Sequence, residues 1–211
     1  MKLIVPVLNR FDLLQRMVNS IDVDATVYVI NNSGVRQDFE HYNELVSMHW
    51  VDLPSNLGVA SSWNLGIKML PFESRWFITS ADTWFEPGAL TLLGQAKNDA
   101  VTLSNSFPYW QAFAVGEQAV EKVGLFDEAL HPIYFEDNDY ERRLQAAGVP
   151  AKFIYATMQH DNSSTLNSGF HSQNDKTFRA NHLLFEKKVA ENDFSQGDWS
   201  LEIRRVNAWD R

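Results

Sequence analysis

The sequence contains no cysteine among its 211 residues. This absence excludes disulfides, zinc–thiolate sites and thiol nucleophiles, and it fits a reducing, cytoplasmic setting, which is the expected location. No apolar run approaches the length of a membrane span, and the segment ending at Asn9 is too short and too interrupted by proline for a signal peptide. We therefore expect a soluble protein without a membrane span.

Basic residues are scarce, with 18 Lys and Arg against 27 Asp and Glu and a formal net charge of −9. Because binding to nucleic acid depends on neutralising phosphates with cations, this balance argues against a nucleic-acid partner. The length is ample for one large domain with a single core. We predict a domain over residues 1–192 and a tail over 193–211, which either docks on the core or begins a connection to a further domain.

Strand-like apolar runs alternate with helical patterns along most of the chain. Strands are predicted at 3–8, 26–30, 49–53, 76–79, 100–104, 111–115 and 152–155. Helices are predicted at 11–21, 37–47, 58–70, 87–96, 117–123, 136–147 and 177–190. This alternation predicts an α/β three-layer sandwich with a mostly parallel central sheet.

Polar clusters follow four of the predicted strands, at residues 9–10, 31–34, 54–58 and 80–82. In parallel sheets, ligands bind beyond the carboxyl ends of the strands. The convergence of these clusters predicts a nucleotide-type site at that edge. Asn56-Leu-Gly58 and Asn64-Leu-Gly66 bracket the start of a helix whose N–H groups could bind an anion, although a turn followed by a capped helix explains them equally well.

Five acids lie within thirteen residues, namely Asp127, Glu128, Glu136, Asp137 and Asp139. Acids this close repel one another, so a fold keeps them where a metal, a base or a hydroxyl needs them. The alternative is the first turn of a helix, where the helix dipole favours anions. Asp137 is the candidate general base, because burial and a like-charged neighbour such as Glu136 keep its proton exchangeable.

A candidate metal site involves Ser80-Ala81-Asp82, which follows a predicted buried strand. A carboxylate there can hold Mg²⁺ or Mn²⁺ that also contacts a diphosphate, although Asp82 could instead close a turn. His160 could complete the site with Asp82, or it could be an ordinary loop histidine. Tyr109 and Trp110 could form a platform for a sugar ring, or they could belong to the core.

The order of these motifs points to a known family. In sequence they are Pro6-Val-Leu-Asn-Arg10, Asn31-Asn-Ser33, Asn56-Leu-Gly58, Asn64-Leu-Gly66, Ser80-Ala-Asp82, Glu86-Pro-Gly-Ala-Leu90, Gly124-Leu-Phe-Asp-Glu128, Phe135-Glu-Asp-Asn-Asp139 and Arg143. The set resembles family 2-like glycosyltransferases with the GT-A fold, over residues 2–165. A second likeness, resting on length and on Ser80-Ala-Asp82, is to the glycosyltransferase domain of a chlorella-virus capsid-glycan protein, which would imply a viral protein in the host cytoplasm.

The resemblance implies transfer of a hexose from a nucleotide sugar, UDP-linked in particular (UDP-glucose, for example), to an acceptor hydroxyl of a glycan or glycoprotein, with inversion. It implies that Asp82, with His160, binds Mn²⁺ or Mg²⁺, and that Asp137 is the base with Glu136 beside it. The implied donor site comprises Pro6, Leu8, Asn9, Arg10, Asn31, Asn32, Asn56, Gly58, Asn64, Ser80 and Ala81. Tyr109, Trp110, Asp127 and Asp139 are the candidate acceptor contacts.

Two positions depart from the family pattern. Ser80 replaces the first Asp of the metal motif, which implies weaker or water-mediated metal binding. Asn31-Asn32 replace the Asp that contacts the nucleobase. An amide oxygen can still accept a hydrogen bond from uracil, but an amide selects uracil less strictly than a carboxylate does. Two alternative functions are a nucleotidyltransferase, for which the glycine-rich basic loop is missing, and a non-catalytic module that binds a nucleotide sugar or glycan.

Overall fold

The structure is a computed structural model, and it describes residues 1–161 and 171–196. Its strands are β1 Lys2–Val7, β2 Ala25–Asn31, β3 Val46–Asp52, β4 Arg75–Thr79, β5 Thr83–Phe85, β6 Val101–Ser104, β7 Ala112–Gly116, β8 Ala151–Ile154 and β9 Met158–His160. Its α-helices are α1 Phe11–Asn19, α2 Val59–Met69, α3 Ala89–Leu93, α4 Glu117–Val123, α5 Glu136–Ala146 and α6 His171–Ala190, and a short 3-10 helix covers Tyr109–Gln111.

The described residues form a seven-stranded sheet in the order β3-β2-β1-β4-β7-β6-β8 and a two-stranded sheet of β5 and β9. The pairs β1–β2, β2–β3, β1–β4 and β6–β8 are parallel, and β7 is antiparallel to both of its neighbours. The carboxyl ends of β1, β2, β3, β4, β6 and β8 therefore lie at one edge, which we call the carboxyl edge. The α/β class and the mostly parallel sheet are confirmed.

Apolar layers cover both faces of the sheet. In β1, Leu3 and Val5 face the layer that contains α1 and α3, whereas Ile4 faces the layer that contains α2, α4 and α5. Burial on both faces explains the near-continuous apolar runs of the central strands. Helix α2 lies so close to β1 that a Cβ atom on Gly66 would be 2.3 Å from Cγ2 of Ile4, which explains the glycine.

The predicted helix at 37–47 is wrong. Residues 37–45 are irregular, and β3 already begins at Val46. The amide nitrogen of Asn43 donates to the carbonyl oxygens of Val18 and Ile21, at 2.8 Å each, and ties this segment to the end of α1. Hydrogen bonds from side chains to the backbone compete with helix formation. Here the bonds of Asn43 to the end of α1 hold the segment in an irregular conformation.

Two short strands were missing from the prediction. β5 and β9 have three residues each and pair with one another across the connecting chain, with Thr83 opposite His160. Local periodicity carries little information about a three-residue strand whose partner is so distant. Helix α6 is also longer than predicted, since it begins at His171.

The end of the chain is described in part. In the predicted tail, Gln196 donates a hydrogen bond to the carbonyl oxygen of Val123 at 2.7 Å, so residues up to 196 contact the core. The hydroxyl-rich loop at 162–170 and residues 197–211 lie outside the described residues, and the predicted domain boundary stays a prediction. No helix in the described ranges is long and apolar enough to cross a membrane.

Candidate active site

Asp82 and His160 meet at the carboxyl edge. Asp82 follows β4 and precedes β5, and pairing of β5 with β9 brings the two side chains together, with 3.0 Å between Oδ1 of Asp82 and Nε2 of His160. The backbone N–H of Asp161 donates to the Asp82 carbonyl oxygen at 3.1 Å, which extends the pairing by one residue. The side chains are 16% and 14% exposed, so they are accessible to a small ligand.

The residues before Asp82 form a braced turn. The backbone N–H of Ser80 donates to the carbonyl oxygen of Gln111 at 2.8 Å, and the Ser80 hydroxyl hydrogen-bonds that of Thr83 at 2.7 Å. Ala81 is buried against the apolar layer of α1 and α3. Ser80 and Ala81 therefore hold Asp82 in place.

Two arginines lie beside this pair. The guanidinium of Arg16 lies 3.7 Å from the centre of the Trp84 ring and forms an ion pair with Asp161 at 3.0 Å. Arg10 binds Asp12 through Nε at 2.8 Å and Nη2 at 2.6 Å. The hydrogen bond to Asp12 is the main cause that raises the pKa of Arg10, and the charges of Asp161 and Asp82 contribute less.

The donor atoms of Asp82 and His160 fit a divalent ion that completes its coordination with other ligands. Mg²⁺ and Mn²⁺ are bound by one or two carboxylates together with waters and substrate phosphates, and Mn²⁺ also accepts imidazole. Within residues 1–161 and 171–196, no group of three or more His, Asp or Glu side chains could hold an ion. Within the described residues, Asp82 and His160 thus form a two-ligand set, which would leave coordination positions for phosphate or water oxygens.

The second half of the site is the start of α5. Tyr134 and Phe135, just before the helix, have φ angles of 82° and 73° in the left-handed region, which costs about 1–3 kcal/mol each. Helix α6 holds this conformation, because the Asn181 amide donates to the carbonyl oxygen of Ile133 at 2.8 Å. The Phe135 ring also stacks on Phe185, with ring centres 5.4 Å apart.

The two acids at the start of α5 have raised proton affinity. Burial is the main cause that raises the pKa of Glu136 to about 8, and the charge of Asp137 adds to it. Oε2 of Glu136 has no hydrogen-bond partner among the described residues. Burial also raises the pKa of Asp137, with a contribution from Glu141, while the N–H of Asn138 donates to Oδ1 of Asp137 at 2.8 Å. A carboxylate with a raised pKa suits a general base near neutral pH.

A buried ionic cluster joins α5 to α6 and to the loop before α5. It consists of Lys188, Asp127, Asp139 and Arg143. The Lys188 ammonium contacts Asp127 and, at 2.7 Å, Asp139. Arg143 binds Asp139 at 2.8 Å and donates to the carbonyl oxygens of Val123 and Leu125. The four side chains are at most 5% exposed. The predicted contact of Asp127 and Asp139 with an acceptor stays a prediction, and the structure gives both carboxylates buried partners.

The predicted donor-site asparagines organise loops at the carboxyl edge. Asn31 donates to Asp52 at 2.8 Å and accepts from the N–H of Ser33 at 3.1 Å. Asn32 accepts from the N–H of Leu57 at 2.8 Å and donates to Ser62 at 2.9 Å. Their amides thus join the ends of β2, β3 and α2, and the predicted contact with a nucleobase stays a prediction.

The start of α2 contacts the loop that precedes α5 and the candidate base Asp137. Gly58 has a φ of 84°, and a Cβ atom there would lie 2.8 Å from the carbonyl oxygen of Pro132. That oxygen accepts the N–H of Val59 at 2.7 Å. Asn56 accepts the N–H of Gly58 at 2.9 Å. The N–H groups of Gly58 and Val59 therefore have hydrogen-bond partners within the protein. The Asn-Leu-Gly motif lets the start of α2 pack closely against the loop at Pro132.

The remaining residues predicted to contact the donor or the acceptor lie in different parts of the fold. Pro6 lies in β1 opposite Ile30, and residues 8–10 connect β1 to α1. Buried Asn64 bonds both backbone groups of Phe126 at 3.0 Å. Trp110 is 9% exposed and donates to Glu141 at 2.7 Å, whereas Tyr109 is 42% exposed.

Lys188, Arg16 and Glu141 were missed by sequence reasoning. Lys188 lies seven residues after Asn181 and three after Phe185, so one face of α6 carries all three contacts with α5 and its preceding loop. A helical spacing of this kind could have marked Lys188 as inward-facing. Arg16 and Glu141 carry no comparable sequence signal, because their partners are distant in the chain.

Comparison with known proteins identifies the fold. No protein-family model matches the sequence. A galactofuranosyl glycosyltransferase of Leishmania donovani is 31% identical over 104 residues, which are 46% of this chain and 23% of that protein. The chain therefore spans less than a quarter of the length of that relative.

Solved structures resemble the chain more extensively. A mutant of Drosophila β1,4-galactosyltransferase 7, complexed with manganese, UDP-Gal and xylobiose, has a TM-score of 0.55 and 15% identity over 79% of this chain and 72% of its own. GalNAc-T7 with UDP, GalNAc and Mn²⁺ has a TM-score of 0.57 and 12% identity, over 75% and 43%. Staphylococcus aureus TarS with UDP has a TM-score of 0.55 and 14% identity, over 74% and 58%. The chain has the GT-A fold that these glycosyltransferases share.

The buried cluster predicts a strong dependence on Lys188. Lys188→Met leaves two buried carboxylates with one cation, and breaking a buried pair costs about 3–5 kcal/mol. We expect a loss of this size in the free energy of unfolding, measured by urea denaturation. Lys187→Met removes an exposed neighbour and should change stability by less than about 0.5 kcal/mol. Equal effects of the two substitutions would contradict the cluster.

Glu136 predicts a pH-dependent stability. Its pKa is about 8 in the folded protein against an ordinary value of 4.5, so between these values the unfolded chain loses a proton that the folded protein keeps. Stability should therefore fall as pH rises from 4.5 to 8. Glu136→Gln removes this contribution, and its stability relative to the unmutated protein should rise over the same window. Exposed Glu121→Gln is the control, and parallel pH profiles for Glu136→Gln and the unmutated protein would refute the assignment.

Proposed function

We propose that the protein transfers a sugar from a nucleoside diphosphate sugar, UDP-linked in particular, to a hydroxyl of a glycan or glycoprotein acceptor. The observation that carries the proposal is a bridge between the two halves of the site. The turn at residues 109–111 accepts the Ser80 N–H through Gln111 and donates to Glu141 through Trp110. Asp137 lies one helical turn before Glu141, about 6 Å along α5.

In the proposed reaction, Asp137 takes the proton of the acceptor hydroxyl. The acceptor oxygen forms a bond to the anomeric carbon as the bond from that carbon to the diphosphate oxygen breaks, which inverts the configuration. Burial and Glu141 favour the protonated form of Asp137, which is what a base needs as it accepts the proton. Burial and the charge of Asp137 raise the pKa of Glu136 to about 8, so Glu136 keeps its proton at neutral pH.

The leaving diphosphate needs positive charge. A divalent cation held by Asp82 and His160 would offset the charge that develops on it. Arg10, which stays protonated and whose pKa is raised mainly by its hydrogen bond to Asp12 and less by the charge of Asp82, would supply a second cation for the diphosphate. Asp82 is the one carboxylate of this ligand pair, and Ser80 supplies no second acid. Metal binding should therefore depend on the phosphates of the donor.

The known proteins of similar fold support the choice of ligand. Among those three complexes, one contains UDP-Gal with manganese and xylobiose, one contains UDP and GalNAc with manganese, and one contains UDP. The relative from Leishmania donovani is a galactofuranosyl glycosyltransferase. A UDP-sugar donor and a glycan acceptor are therefore the first pair to test. The hexosyl donor, the cytoplasmic location, the viral likeness and further domains stay predictions.

Asp82 predicts metal-dependent donor binding. In the unmutated protein, UDP should raise the melting temperature with Mn²⁺ and much less with chelator, because a ligand that binds the native state stabilises it. Asp82→Ala should lose the Mn²⁺-dependent part of the shift. Asp99→Ala, at an exposed carboxylate elsewhere, should keep it. Equal UDP shifts with and without chelator in the unmutated protein would refute the metal site.

Asp137 predicts a separation of chemistry from binding. Asp137→Asn should lower UDP release from the preferred donor of a UDP-sugar panel by about 10²–10⁴-fold, since general-base catalysis contributes that much. Donor binding, measured by the melting shift, should stay near normal. Glu121→Gln makes the same chemical change at an exposed site and should retain activity. Near-normal turnover in Asp137→Asn would refute the base, and no release from any donor in the unmutated protein would favour a binding module.

A further inference from the structure

Three aromatic side chains at the carboxyl edge are exposed although they contact one another. They are Phe107 at 76%, Tyr109 at 42% and Phe153 at 53% exposed, and we call them the aromatic patch. Tyr109 packs edge to face against Phe107 and Phe153, with ring centres 5.8 and 5.1 Å apart. Contiguous exposed apolar surface of this kind marks interaction sites.

The aromatic patch is continuous with the candidate active site. Tyr109 precedes Trp110, whose indole donates to Glu141, and Glu141 lies one helical turn from Asp137. Phe153 pairs in register with Leu103, which belongs to the apolar layer beneath α5, so Phe153 projects on the face that carries the base. A path along this face leads from Asp137 through Trp110 to Tyr109 and Phe153.

The loop that carries Phe107 and Tyr109 is held by several hydrogen bonds. The N–H of Asn105 donates to the carbonyl oxygen of Ile154 at 2.9 Å. The Ser106 hydroxyl accepts the N–H of Met158 at 3.1 Å, and the Ser106 carbonyl accepts from the Gln111 amide at 3.0 Å. A surface held in this way loses little conformational entropy when a ligand binds.

We propose that the aromatic patch is a glycan-binding subsite, which stacks sugar rings of an extended acceptor chain away from the reacting hydroxyl. This inference rests on the proposed function. The C–H faces of a sugar ring are apolar and suit an aromatic ring, while its hydroxyls remain solvated, and Tyr109 adds a hydroxyl at the rim. The acceptor class is therefore an oligosaccharide or polysaccharide.

The position of the rings favours a ligand that lies across the face of the sheet. β8 is the outermost strand, and its outer edge pairs with no other strand in the described part of the chain. A protein strand added there would bind in the plane of the sheet through backbone groups, whereas Phe153 projects from the face and Phe107 and Tyr109 lie outside the sheet. The net charge of −9 disfavours nucleic acid.

The test compares oligosaccharide binding by the unmutated protein and the double variant Phe107→Ala/Phe153→Ala. The probes are cellohexaose, xylohexaose and mannohexaose with their disaccharides, and binding is measured by NMR titration. At least one hexasaccharide should bind more tightly than its disaccharide. In the double variant, the ratio of hexasaccharide affinity to disaccharide affinity should be at least tenfold smaller. Phe72→Ala, which truncates a Phe that is 91% exposed between α2 and β4, should bind as the unmutated protein does.

The outcomes separate this subsite from the proposed function. Patch-dependent hexasaccharide binding without turnover of any UDP-sugar would support the subsite and refute the transferase. If the protein turns over a UDP-sugar and the double variant binds hexasaccharides as tightly as the unmutated protein, the subsite alone is refuted. Absence of binding to all three hexasaccharides, or self-association that the double substitution abolishes, would also refute the subsite. The double variant should keep the cooperative thermal unfolding of the unmutated protein, and its UDP binding with Mn²⁺ where the unmutated protein binds UDP, which confirms that it folds.

Discussion

The contact of the Lys188 ammonium with Asp127 and Asp139 is the interaction on which the candidate site depends. These charges are buried, so each is tolerated only because its partners are in place. The contact fixes α6 against α5 and the loop before it. The same face of α6 supports the left-handed backbone at Tyr134 and Phe135, which lies just before Glu136 and the candidate base Asp137. The position of Asp137 therefore depends on a helix far along the chain.

The other half of the site depends on a different device. Pairing of β5 with β9 joins Asp82 to His160, and the turn at 109–111 braces both this pair and α5. One carboxylate and one imidazole would form a small donor set for a divalent ion. Under the proposed function, a cation at this position, Asp137 as the base and the aromatic patch as a surface for the acceptor would together form a transfer site with an extended acceptor side.

Local patterns in the sequence predicted much of the fold. The apolar runs of β1 and β4 and the one-sided pattern of α1 depend on neighbouring residues, so they could be interpreted without the structure. The segment at 37–47 could not, because Asn43 is held by the distant end of α1. The sequence offered His160 as a partner of Asp82, and the family resemblance implied the same pair, whereas the strands that bring the two side chains together were too short to detect. Trp110 and Tyr109 are adjacent in sequence, yet only the fold separates a buried indole from an exposed phenol.

The most direct test of the account is a crystal structure of the protein with UDP and Mn²⁺. The account predicts a manganese ion in contact with Asp82 and His160 and with the diphosphate, with Arg10 near the same phosphates and the start of α5 facing the open side of the ligand. UDP bound away from the carboxyl edge, or bound there without any metal at Asp82 when Mn²⁺ is saturating, would contradict it.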